Sequence, residues 1–487
     1  MPAPRDRPLA IALGLAALIA AAAWAVHVQA GAHLLHFDAK AHLVVSRRTI
    51  DSLTPGWTQL GAIWLPLPHI LNALPAQNDR LYATGLFASG LSFVAFVAGL
   101  GALGLAARSA TGDPWAGVVA AAVPALNPGW LYLQSTPLIE ALFFGTVSMA
   151  LAGLVGWRRH GTRRALYTAL AASACACWVR YEAWPLLTAA MAWIAITEPA
   201  GRRARTAALT LGLGVAAPIL AYGIHSWVSS GIPFYAIGSE NLTETHGDVR
   251  RAVGLAASGA TEAFGAPALL ASVIALAAAV WRVRKDVLAA LSLCALAPLA
   301  VTLTAYLAGH PPKARYALLL APALALALAH AAAGRRVVQA LAGTAAALQL
   351  VTVPSPLPVL REATRDRTAV AERLPVLDVW RGQYQGGRIL ASMSSAAPVL
   401  FELNQRGVPL REFVHEGNDN YWEYAVVDPA REVGWVMIVE GDVLDHVRRL
   451  RPGFPEGFLP ALRFRRVTIY RRQAPMTTLT ASQALSR

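Results

Sequence analysis

Runs of about 20 apolar residues recur along the first three quarters of this sequence, and each is long enough to cross a bilayer as one α-helix. Hydrophobic residues make up 56% of the 487 positions and charged residues only 14%, which excludes an ordinary soluble protein of this length. We therefore predict an α-helical polytopic membrane protein. The eleven predicted spans are 8–30, 81–107, 115–133, 137–157, 165–179, 183–197, 207–228, 261–281, 287–308, 316–333 and 337–353.

The positive charges between the spans indicate their orientation, because Arg and Lys collect in cytoplasmic loops. With a cytoplasmic amino terminus, every loop on the cytoplasmic side is basic and the tail lies outside the cytoplasm. The net charge of +14 is then an orientation signal, and we find no nucleic-acid-binding motif. The predominance of Arg and the abundance of Ala are typical of a GC-rich bacterial genome. From this composition together with the apolar spans, we predict a multi-pass protein of the bacterial inner membrane. The loop residues are Arg5, Arg7, Arg108, Arg158, Arg159, Arg163, Arg164, Arg202, Arg203, Arg205, Arg282, Arg284, Lys285, Arg335 and Arg336.

Two features leave the topology open to other interpretations. The spans at 165–179 and 183–197 are short and nearly continuous, and fusing them would reverse the orientation of every later segment. Val28-Gln29-Ala30 is similar to a signal-peptide cleavage site. The loop charges favour two separate spans, and the length of the first apolar run favours an uncleaved anchor.

We predict a transmembrane domain at 1–353 and an extracytoplasmic domain at 354–487. The outer loops at 31–80 and 229–260 are too long to be simple connectors, so function is expected there. In the tail, an α/β domain is predicted. Its expected strands are 388–393, 434–439 and 466–470, and its expected helices are 396–405 and 442–450, the second with Asp442 as N-cap.

Asp38 is the first candidate catalytic residue, since it follows the first span by a few positions and lies beside the apolar Phe37. Burial at the membrane boundary can raise the pKa of a carboxyl group and suit it as a general base toward a hydroxyl. A solvated Asp38 paired with Lys40 or Arg47 is the alternative. The helical spacing of apolar residues around it predicts an interfacial helix.

Two further acids lie at the predicted outer ends of spans. Thr136 is expected to cap the fourth span and Pro137 to open it, which places Glu140 in its first turn. There Glu140 either faces a wet cavity or interacts with the helix dipole, a contribution of about 0.3 to 1 kcal/mol. Arg180 and Glu182 join the fifth and sixth spans, either as an ion pair or as part of an aromatic belt with a snorkelling arginine.

The outer loop before the tenth span carries His310, Lys313 and Arg315 and so breaks the rule that positive charge stays inside. An anionic partner such as a lipid phosphate would explain the exception, because Arg binds phosphate oxygens through two parallel hydrogen bonds. Pairing with the three acids named above is the alternative, and a phosphate pocket can contain both.

Four histidines of the first outer loop, His33, His36, His42 and His69, could be metal ligands together with Asp38. Their spacing matches no metal-binding motif, so a divalent metal is possible without being firmly predicted. The second outer loop is polar, which suits either a segment that covers a substrate or a solvated loop. Its polar residues are Glu240, Glu244, His246 and Asp248.

Taken together, these motifs resemble the polyprenyl-phosphate-dependent glycosyltransferases of the GT-C superfamily, which includes protein O-mannosyltransferases and lipid A aminoarabinose transferases. The resemblance covers the membrane part and consists of the order of the motifs and their common side. The residues that carry it are Phe37-Asp38, Leu65 to His69, Thr136 to Glu140, Arg180 to Glu182, and Arg315-Tyr316.

The resemblance implies that Asp38 is the base that activates the acceptor, and that Glu140 orients the acceptor or supports Asp38. It implies a polyprenyl-phosphate-linked sugar as donor and a lipid, glycan or protein as acceptor. Energy comes from the activated donor, so no nucleotide site is needed outside the cell. The implied phosphate-binding residues are Arg315, Lys313, His310 and Arg180, and the other implied substrate-binding residues are Glu182, His69 and Tyr316.

One departure from the family pattern concerns the first outer loop. Family members often have two adjacent acids there, whereas Ala39 follows Asp38 in this chain, which puts a metal role in doubt. In the tail, the sequence from Tyr421 to Ala425 is similar in outline to the Trp-Trp-Asp-Tyr-Gly signature of oligosaccharyltransferases, and an aromatic-bearing helix is the alternative.

Two other classes of protein compete with this interpretation. A transporter or lipid flippase requires ionisable groups or broken helices near the bilayer midplane, whereas the predicted spans are nearly free of charge. A structural or assembly protein that uses its outer domain to bind partners would tolerate substitution of Asp38 and Arg315.

Overall fold

The structure, a computed structural model, describes residues 6–197, 201–235 and 246–473. The chain divides into two compact units. The helical unit consists of Met1–Arg47 and Leu60–Thr368, and the sheet unit consists of Arg48–Gln59 and Ala369–Arg487.

The helical unit is built almost entirely from α-helices. They are α1 (Arg7–Gln29), α2 (Phe37–Arg48), α3 (Leu67–Ala73), α4 (Asp79–Thr84), α5 (Leu86–Thr111), α6 (Pro114–Ala125), α7 (Pro128–Leu133), α8 (Glu140–His160), α9 (Arg163–Cys177), α10 (Ala183–Thr197), α11 (Arg202–Ser230), α12 (Val249–Phe264), α13 (Ala266–Val280), α14 (Val287–Cys294), α15 (Ala297–Leu307), α16 (Ala314–Leu318), α17 (Ala321–Ala332), α18 (Arg336–Thr352) and α19 (Pro358–Gln383).

Each predicted span coincides with one helix or with two helices separated by a short break. In the described ranges, five segments are long and apolar enough to cross a membrane: α1, α5, α8, α14 with α15, and α16 with α17. The bent pair of α12 and α13 makes a sixth if it is counted as one span. The predicted number of eleven spans is not confirmed, because several helices, such as the 15-residue α9 and α10, are shorter than a bilayer crossing requires.

Two of the breaks between helices have an identifiable local cause. The segment predicted as one span at 115–133 is divided at Asn127, whose side chain accepts a hydrogen bond from the Trp130 N–H at 3.0 Å and caps α7. Helices α12 and α13 meet at an angle of 113° at Gly265, which has a φ of 72°. A Cβ atom at Gly265 would lie 2.1 Å from the Thr352 hydroxyl, so only glycine fits this corner.

Helix α8 lies at the centre of the helical unit and is buried along most of its length. Small residues let its neighbour α5 approach closely, since a Cβ atom at Gly145 would lie 2.4 Å from the Ala95 carbonyl oxygen. The same contact fixes the position of Glu140, the first residue of α8. The predicted start of this helix at Pro137, with Thr136 as cap, is wrong because Thr136 accepts from the Leu138 N–H and closes a separate turn.

The helix predicted around Asp38 is confirmed as α2, but its predicted interfacial position is wrong. Every residue from Ala39 to Ser46 is buried, so this stretch is enclosed by protein on all sides. The Pro-rich stretch after it ends in α3, which begins at Leu67 with a proline in its first turn.

The sheet unit confirms the predicted small α/β domain. In the described part of this unit, five strands lie in the order β2-β1-β3-β5-β4, with β1 parallel to β2 and β3, and β5 antiparallel to β3 and β4. The strands are β1 (Ile389–Ala391), β2 (Phe413–Val414), β3 (Trp435–Val439), β4 (Phe458–Phe464) and β5 (Val467–Arg472). The helices are the end of α19, α20 (Met393–Gln405), α21 (Asn420–Val427), α22 (Pro429–Glu432) and α23 (Val443–Leu450).

The predicted strands and helices of the tail are confirmed, and Asp442 caps α23 by accepting from the Asp445 N–H at 2.7 Å. Strands β2 and β4 were not predicted, because β2 has only two residues and β4 contains Pro460. The aromatic sequence from Tyr421 to Ala425 forms part of α21.

The sheet unit includes a segment from the first predicted outer loop, residues 48–59. Asp51 accepts from the Leu410 N–H at 3.1 Å, Asn418 donates to the Thr54 hydroxyl at 2.8 Å, and Gln59 donates to the Gly417 carbonyl at 2.6 Å. The sequence-based division at 353/354 did not assign this segment to the tail.

Candidate active site

The helical unit contains a cavity of about 470 Å³ that brings together polar residues from distant parts of the sequence. Seven of the nine predicted site residues line it: Asp38, Glu140, Arg180, Glu182, His310, Arg315 and Tyr316. Its other lining residues are His42, Ile63, Trp64, Leu138, Ile139, Val179, Tyr181, Pro185, Ala300, Val301, Thr302, Thr304, Ala305 and Ala308.

Arg315, in the short helix α16, is the centre of the polar network. Its guanidinium donates to the Asp38 carboxylate through Nη2, and its Nη1 lies 2.7 Å from His36 Nε2. Its Nε lies 3.1 Å from Glu140 Oε1. One buried cation thus connects α2 to the start of α8.

Arg180 forms the second half of the network. It holds Glu182 through two hydrogen bonds, at 2.7 and 3.1 Å, and donates to Glu140 Oε1 at 2.8 Å. Both guanidinium groups therefore meet at one oxygen of Glu140. The interpretation of this junction as an ion pair is correct, and Arg180 is only 9% exposed, so it does not snorkel into a headgroup region.

The loop that carries Arg180 is fixed from both sides. The Trp178 carbonyl accepts from the Leu67 N–H at 3.1 Å, and the Trp178 indole donates to the Pro218 carbonyl at 2.8 Å. Tyr181 shares a hydrogen bond of 2.9 Å with Tyr222. These contacts hold α9, α10 and α11 around the short junction, and so they orient the arginine toward the cavity.

Glu140 has an unusual environment for a carboxylate. It is 1% exposed, and its Oε1 lies 2.8 Å from Arg180 Nη1 and 3.1 Å from Arg315 Nε. Its Oε2 is buried and has no hydrogen-bond partner among the described residues. Three carboxylates, those of Asp38, Glu140 and Glu182, face two guanidinium groups, which leaves one negative charge in excess. Glu140 Oε2 is therefore an unpaired hydrogen-bond acceptor in a residue that lines the cavity.

The ionisation of Asp38 differs from what the sequence suggested. Burial acts to raise the pKa of Asp38, but the adjacent Arg315 guanidinium more than offsets it and holds the pKa below its ordinary value. The expectation of a raised pKa was therefore wrong in direction, because the arginine that opposes burial lies far away in the sequence. In this state Asp38 is ionised.

Two histidines complete the environment of Asp38. Burial and the nearby Arg315 lower the pKa of His36 to about 3, and burial lowers the pKa of His42 to about 4. His42 lines the cavity, with its ring centre 4.3 Å from that of Trp64. Its Nδ1 lies 2.9 Å from Nε2 of His69, which is buried behind it and does not line the cavity.

Lys313 lies beside the network and does not line the main cavity. Its Nζ is 3.9 Å from Oε1 of Glu362 in α19. The ring of Tyr316 lies 5.4 Å from the Arg180 guanidinium carbon and 5.9 Å from that of Arg315, distances typical of cation–π contacts.

Other predicted residues are placed elsewhere. Asp248 caps α12 by accepting from the Arg251 N–H at 3.0 Å, and His246 is exposed. Glu240 and Glu244 lie outside the described residues. Within the described ranges no group of three or more His, Cys, Asp or Glu side chains is arranged to hold a metal ion.

Three residues of the site were not predicted from the sequence: His36 as a partner of Arg315, His42 as a wall residue, and Glu362. The histidines were considered only as metal ligands. Glu362 follows the last predicted span and carries no local motif. Only the folded structure shows that these side chains surround Asp38 and Arg315.

Comparison with solved structures shows that the chain has a GT-C-like fold. The structure of ArnT, an aminoarabinose transferase, from Cupriavidus metallidurans bound to undecaprenyl phosphate is similar over 95% of this chain and 98% of that chain, with 12% identity and a TM-score of 0.59. The apo structure of the same protein covers 93% of this chain and 98% of that chain, with 14% identity and a TM-score of 0.56.

No protein-family model matches the sequence, and no curated protein matches it. At 12 to 14% identity, the likeness to ArnT establishes the fold. The activity depends on the residues of the cavity and not on the fold alone.

Proposed function

We propose that this protein is an inverting glycosyltransferase that transfers a sugar from a polyprenyl-phosphate donor to an acceptor at the extracytoplasmic side of the bacterial inner membrane. One observation carries the proposal: Asp38 and Arg315 contact each other in the wall of a single cavity. A carboxylate base and a phosphate-binding cation are the two groups that such a transfer requires.

The reaction assigned to the cavity is a displacement at the anomeric carbon. The acceptor hydroxyl oxygen attacks that carbon on the face opposite the phosphate and forms the new glycosidic bond. The bond between the carbon and the phosphate oxygen breaks, and the lipid phosphate leaves with the electron pair. Asp38 takes the hydroxyl proton, and Arg315 with Arg180 stabilises the negative charge that develops on the phosphate.

The contact between Asp38 and Arg315 makes the base dependent on the donor. While Arg315 faces Asp38, the carboxylate is ionised but weakly basic, since its pKa is lowered by that arginine. A donor phosphate draws the guanidinium toward itself, and Asp38 stays buried with a weaker counter-ion. Burial then raises the pKa of Asp38, so the carboxylate becomes a stronger base when the donor is in place.

Glu140 is assigned to the acceptor side of the site. Its Oε1 contacts both Arg180 and Arg315 and so fixes the position of one guanidinium relative to the other. Its unpaired Oε2 can accept a hydrogen bond from a sugar or acceptor hydroxyl. Glu182 fixes Arg180 through two hydrogen bonds, and Tyr316 packs against both guanidinium groups. His69 supports the ring of His42 from behind.

A lipid-linked donor suits the composition of the cavity wall. One side is formed by small and apolar residues of α15 and the loop that follows it: Ala300, Val301, Thr304, Ala305 and Ala308. A polyprenyl chain can lie against such a surface while its phosphate reaches the arginines. ArnT, which has the same fold, binds undecaprenyl phosphate. The proposal includes the tail at 354–487 on the extracytoplasmic side, because the basic loops favour a cytoplasmic amino terminus.

The proposal is tested by giving the purified full-length protein a polyprenyl-phosphate sugar together with cell-envelope acceptors and measuring the release of polyprenyl phosphate. We expect release by the wild type and none by Asp38→Asn, which keeps the shape of the side chain but cannot take a proton. Asp79→Asn is the matched control, since Asp79 is 89% exposed and pairs with Arg47 on the surface.

Full activity of Asp38→Asn would remove the residue from its role. Transfer of intact donor across a bilayer without release of polyprenyl phosphate would favour the transporter alternative. Chemical analysis of the product would identify whether the acceptor is a lipid, a glycan or a protein.

A further inference from the structure

Lys313 and Glu362 form a loose ion pair beside the arginine network. Their charged atoms are 3.9 Å apart, and the Lys313 side chain is 32% exposed whereas that of Glu362 is 16% exposed. The second carboxylate oxygen of Glu362 is buried and has no hydrogen-bond partner among the described side chains. The pair is therefore weaker than the contacts of Arg180 and Arg315.

An entering phosphate would find the two arginines already engaged. Arg180 makes three hydrogen bonds to carboxylates, and Arg315 contacts two carboxylates and a histidine. The Lys313 ammonium has three donors, and within the described part of the chain its ion-pair partner is the distant Glu362. It is the cation of this group that can turn to a new anion with the least loss of existing contacts.

Lys313 also lies close enough to the main cavity to act there. It lines a small cavity of about 20 Å³ whose wall includes Thr302 and Tyr316, and both of these residues line the main cavity as well. The lysine ammonium is carried by a flexible four-carbon side chain, so rotation about the side-chain bonds moves the ammonium without moving the backbone.

From these contacts we propose that Glu362 and the donor phosphate compete for the Lys313 ammonium, and that Glu362 takes up a proton when Lys313 turns to the phosphate. The inference rests on the proposed function and deepens it by naming the group that regulates donor binding. Glu362 is a positioning residue in this scheme, because it touches neither the donor nor the reacting atoms.

The surroundings of Glu362 explain the proton uptake. Burial raises the pKa of Glu362, while Arg315 and Lys313 oppose the rise. When the Lys313 ammonium turns to the phosphate, one of these two cations leaves Glu362. The negative charges of Asp38 and Glu140 favour the neutral acid further. Among the side chains that the structure describes, the charged and titratable groups around Glu362 are Asp38 in α2, Tyr132 in α7, Glu140 in α8, Tyr306 in α15, Lys313 before α16 and Arg315 in α16.

The sign of the pH dependence follows from this linkage. Binding that takes up a proton weakens as the pH rises, by at most about tenfold per pH unit for one linked proton. At low pH Glu362 is already protonated and does not compete. Glu362→Gln, which cannot ionise, should therefore bind the lipid phosphate more tightly than the wild type at high pH and equally well at low pH.

The experiment measures the affinity of the full-length protein in detergent for undecaprenyl phosphate at about pH 5 and about pH 8, because a glutamate whose pKa is raised above its ordinary value of about 4.3 releases its proton as the pH rises. Ionisation of the phosphate itself affects the wild type and Glu362→Gln equally. Its effect therefore cancels in the ratio of the wild-type dissociation constant to that of Glu362→Gln. We expect this ratio to rise with pH. Glu262→Gln is the matched control, because Glu262 pairs with Arg361 at 2.8 Å and both side chains are about half exposed.

A double mutant tests whether the effect passes through Lys313. If it does, adding Glu362→Gln to Lys313→Gln should leave the affinity unchanged at both pH values. A ratio of one at both pH values would overturn the inference and leave the proposed function intact. No binding of undecaprenyl phosphate by the wild type at either pH would overturn both.

Discussion

The guanidinium of Arg315 contacts the carboxylate of Asp38, although 277 positions separate the two residues in the sequence. The contact joins the residue proposed to hold the donor phosphate to the residue proposed to accept a proton. It also depresses the basicity of Asp38 until another anion competes for the arginine. Several properties of the protein should follow from this single pair and its neighbours.

Arg315→Lys should reduce kcat/KM for the polyprenyl-phosphate sugar by about 100-fold or more, because an ammonium cannot bridge two carboxylates and a histidine. Removing one partner of a buried ion pair typically costs about 3 to 5 kcal/mol, so Arg315→Ala should also lower the melting temperature strongly. Arg361→Lys is the matched control, because it makes the same replacement in an exposed ion pair. Wild-type kinetics in Arg315→Lys would contradict the proposed phosphate site.

Glu140→Gln should lower the turnover of the enzyme by about 100-fold, since it removes the charge that holds two guanidinium groups in register. Substrate affinity should change less, because the excess negative charge of the network disappears at the same time. Steady-state kinetics that separate kcat from KM check this expectation. A change confined to KM would indicate that Glu140 only binds substrate.

His42→Gln should make the protein less sensitive to acid. The pKa of His42 is lowered by burial to about 4, below its value in an unfolded chain of about 6.5. The stability contributed by the neutral ring is therefore fully present above about pH 6.5 and is lost as the pH falls toward about pH 4, at up to about 1.4 kcal/mol per pH unit.

Thermal unfolding in detergent across this pH range provides the measurement. The melting temperature of the wild type should fall more steeply than that of His42→Gln, while His246→Gln, at an exposed position, should follow the wild type. Parallel curves for the wild type and His42→Gln would show that the ring is not held neutral by burial.

Gly145→Ala should destabilise the helical unit and reduce activity together. The added Cβ atom would lie 2.4 Å from the Ala95 carbonyl oxygen, so α8 must move away from α5 and carry Glu140 with it. Gly101→Ala in α5 is the control, because no atom lies within 4 Å of the Cβ that it adds. Equal melting temperatures for the two variants would contradict the close contact of these helices.

Local signals in the sequence predicted the helices well. Apolar length located α1 and α10 almost to the residue, and Asp442 was a correct N-cap because capping depends on residues three positions apart. The start of α8 was misplaced, since Thr136 and Pro137 form a separate turn there. Seven of the nine site residues that the order of the motifs predicted line the cavity.

Long-range contacts were the part that the sequence did not reveal. The pKa of Asp38 is set by Arg315, and Glu362 reaches the network from a helix that carries no recognisable motif. His36 and His42 were interpreted as possible metal ligands because a sequence shows which residue types are near one another, and not which partner each side chain selects.

The composition of the sheet unit has a practical consequence for experiments on fragments. Residues 48–59 supply hydrogen bonds to Leu410, Gly417 and Asn418, yet they are encoded more than 300 positions before most of the domain that they complete. A recombinant tail that begins at residue 369 would therefore lack one of its own structural pieces. Such a fragment should be soluble and well folded only when a peptide of residues 48–59 is fused to it or added in trans.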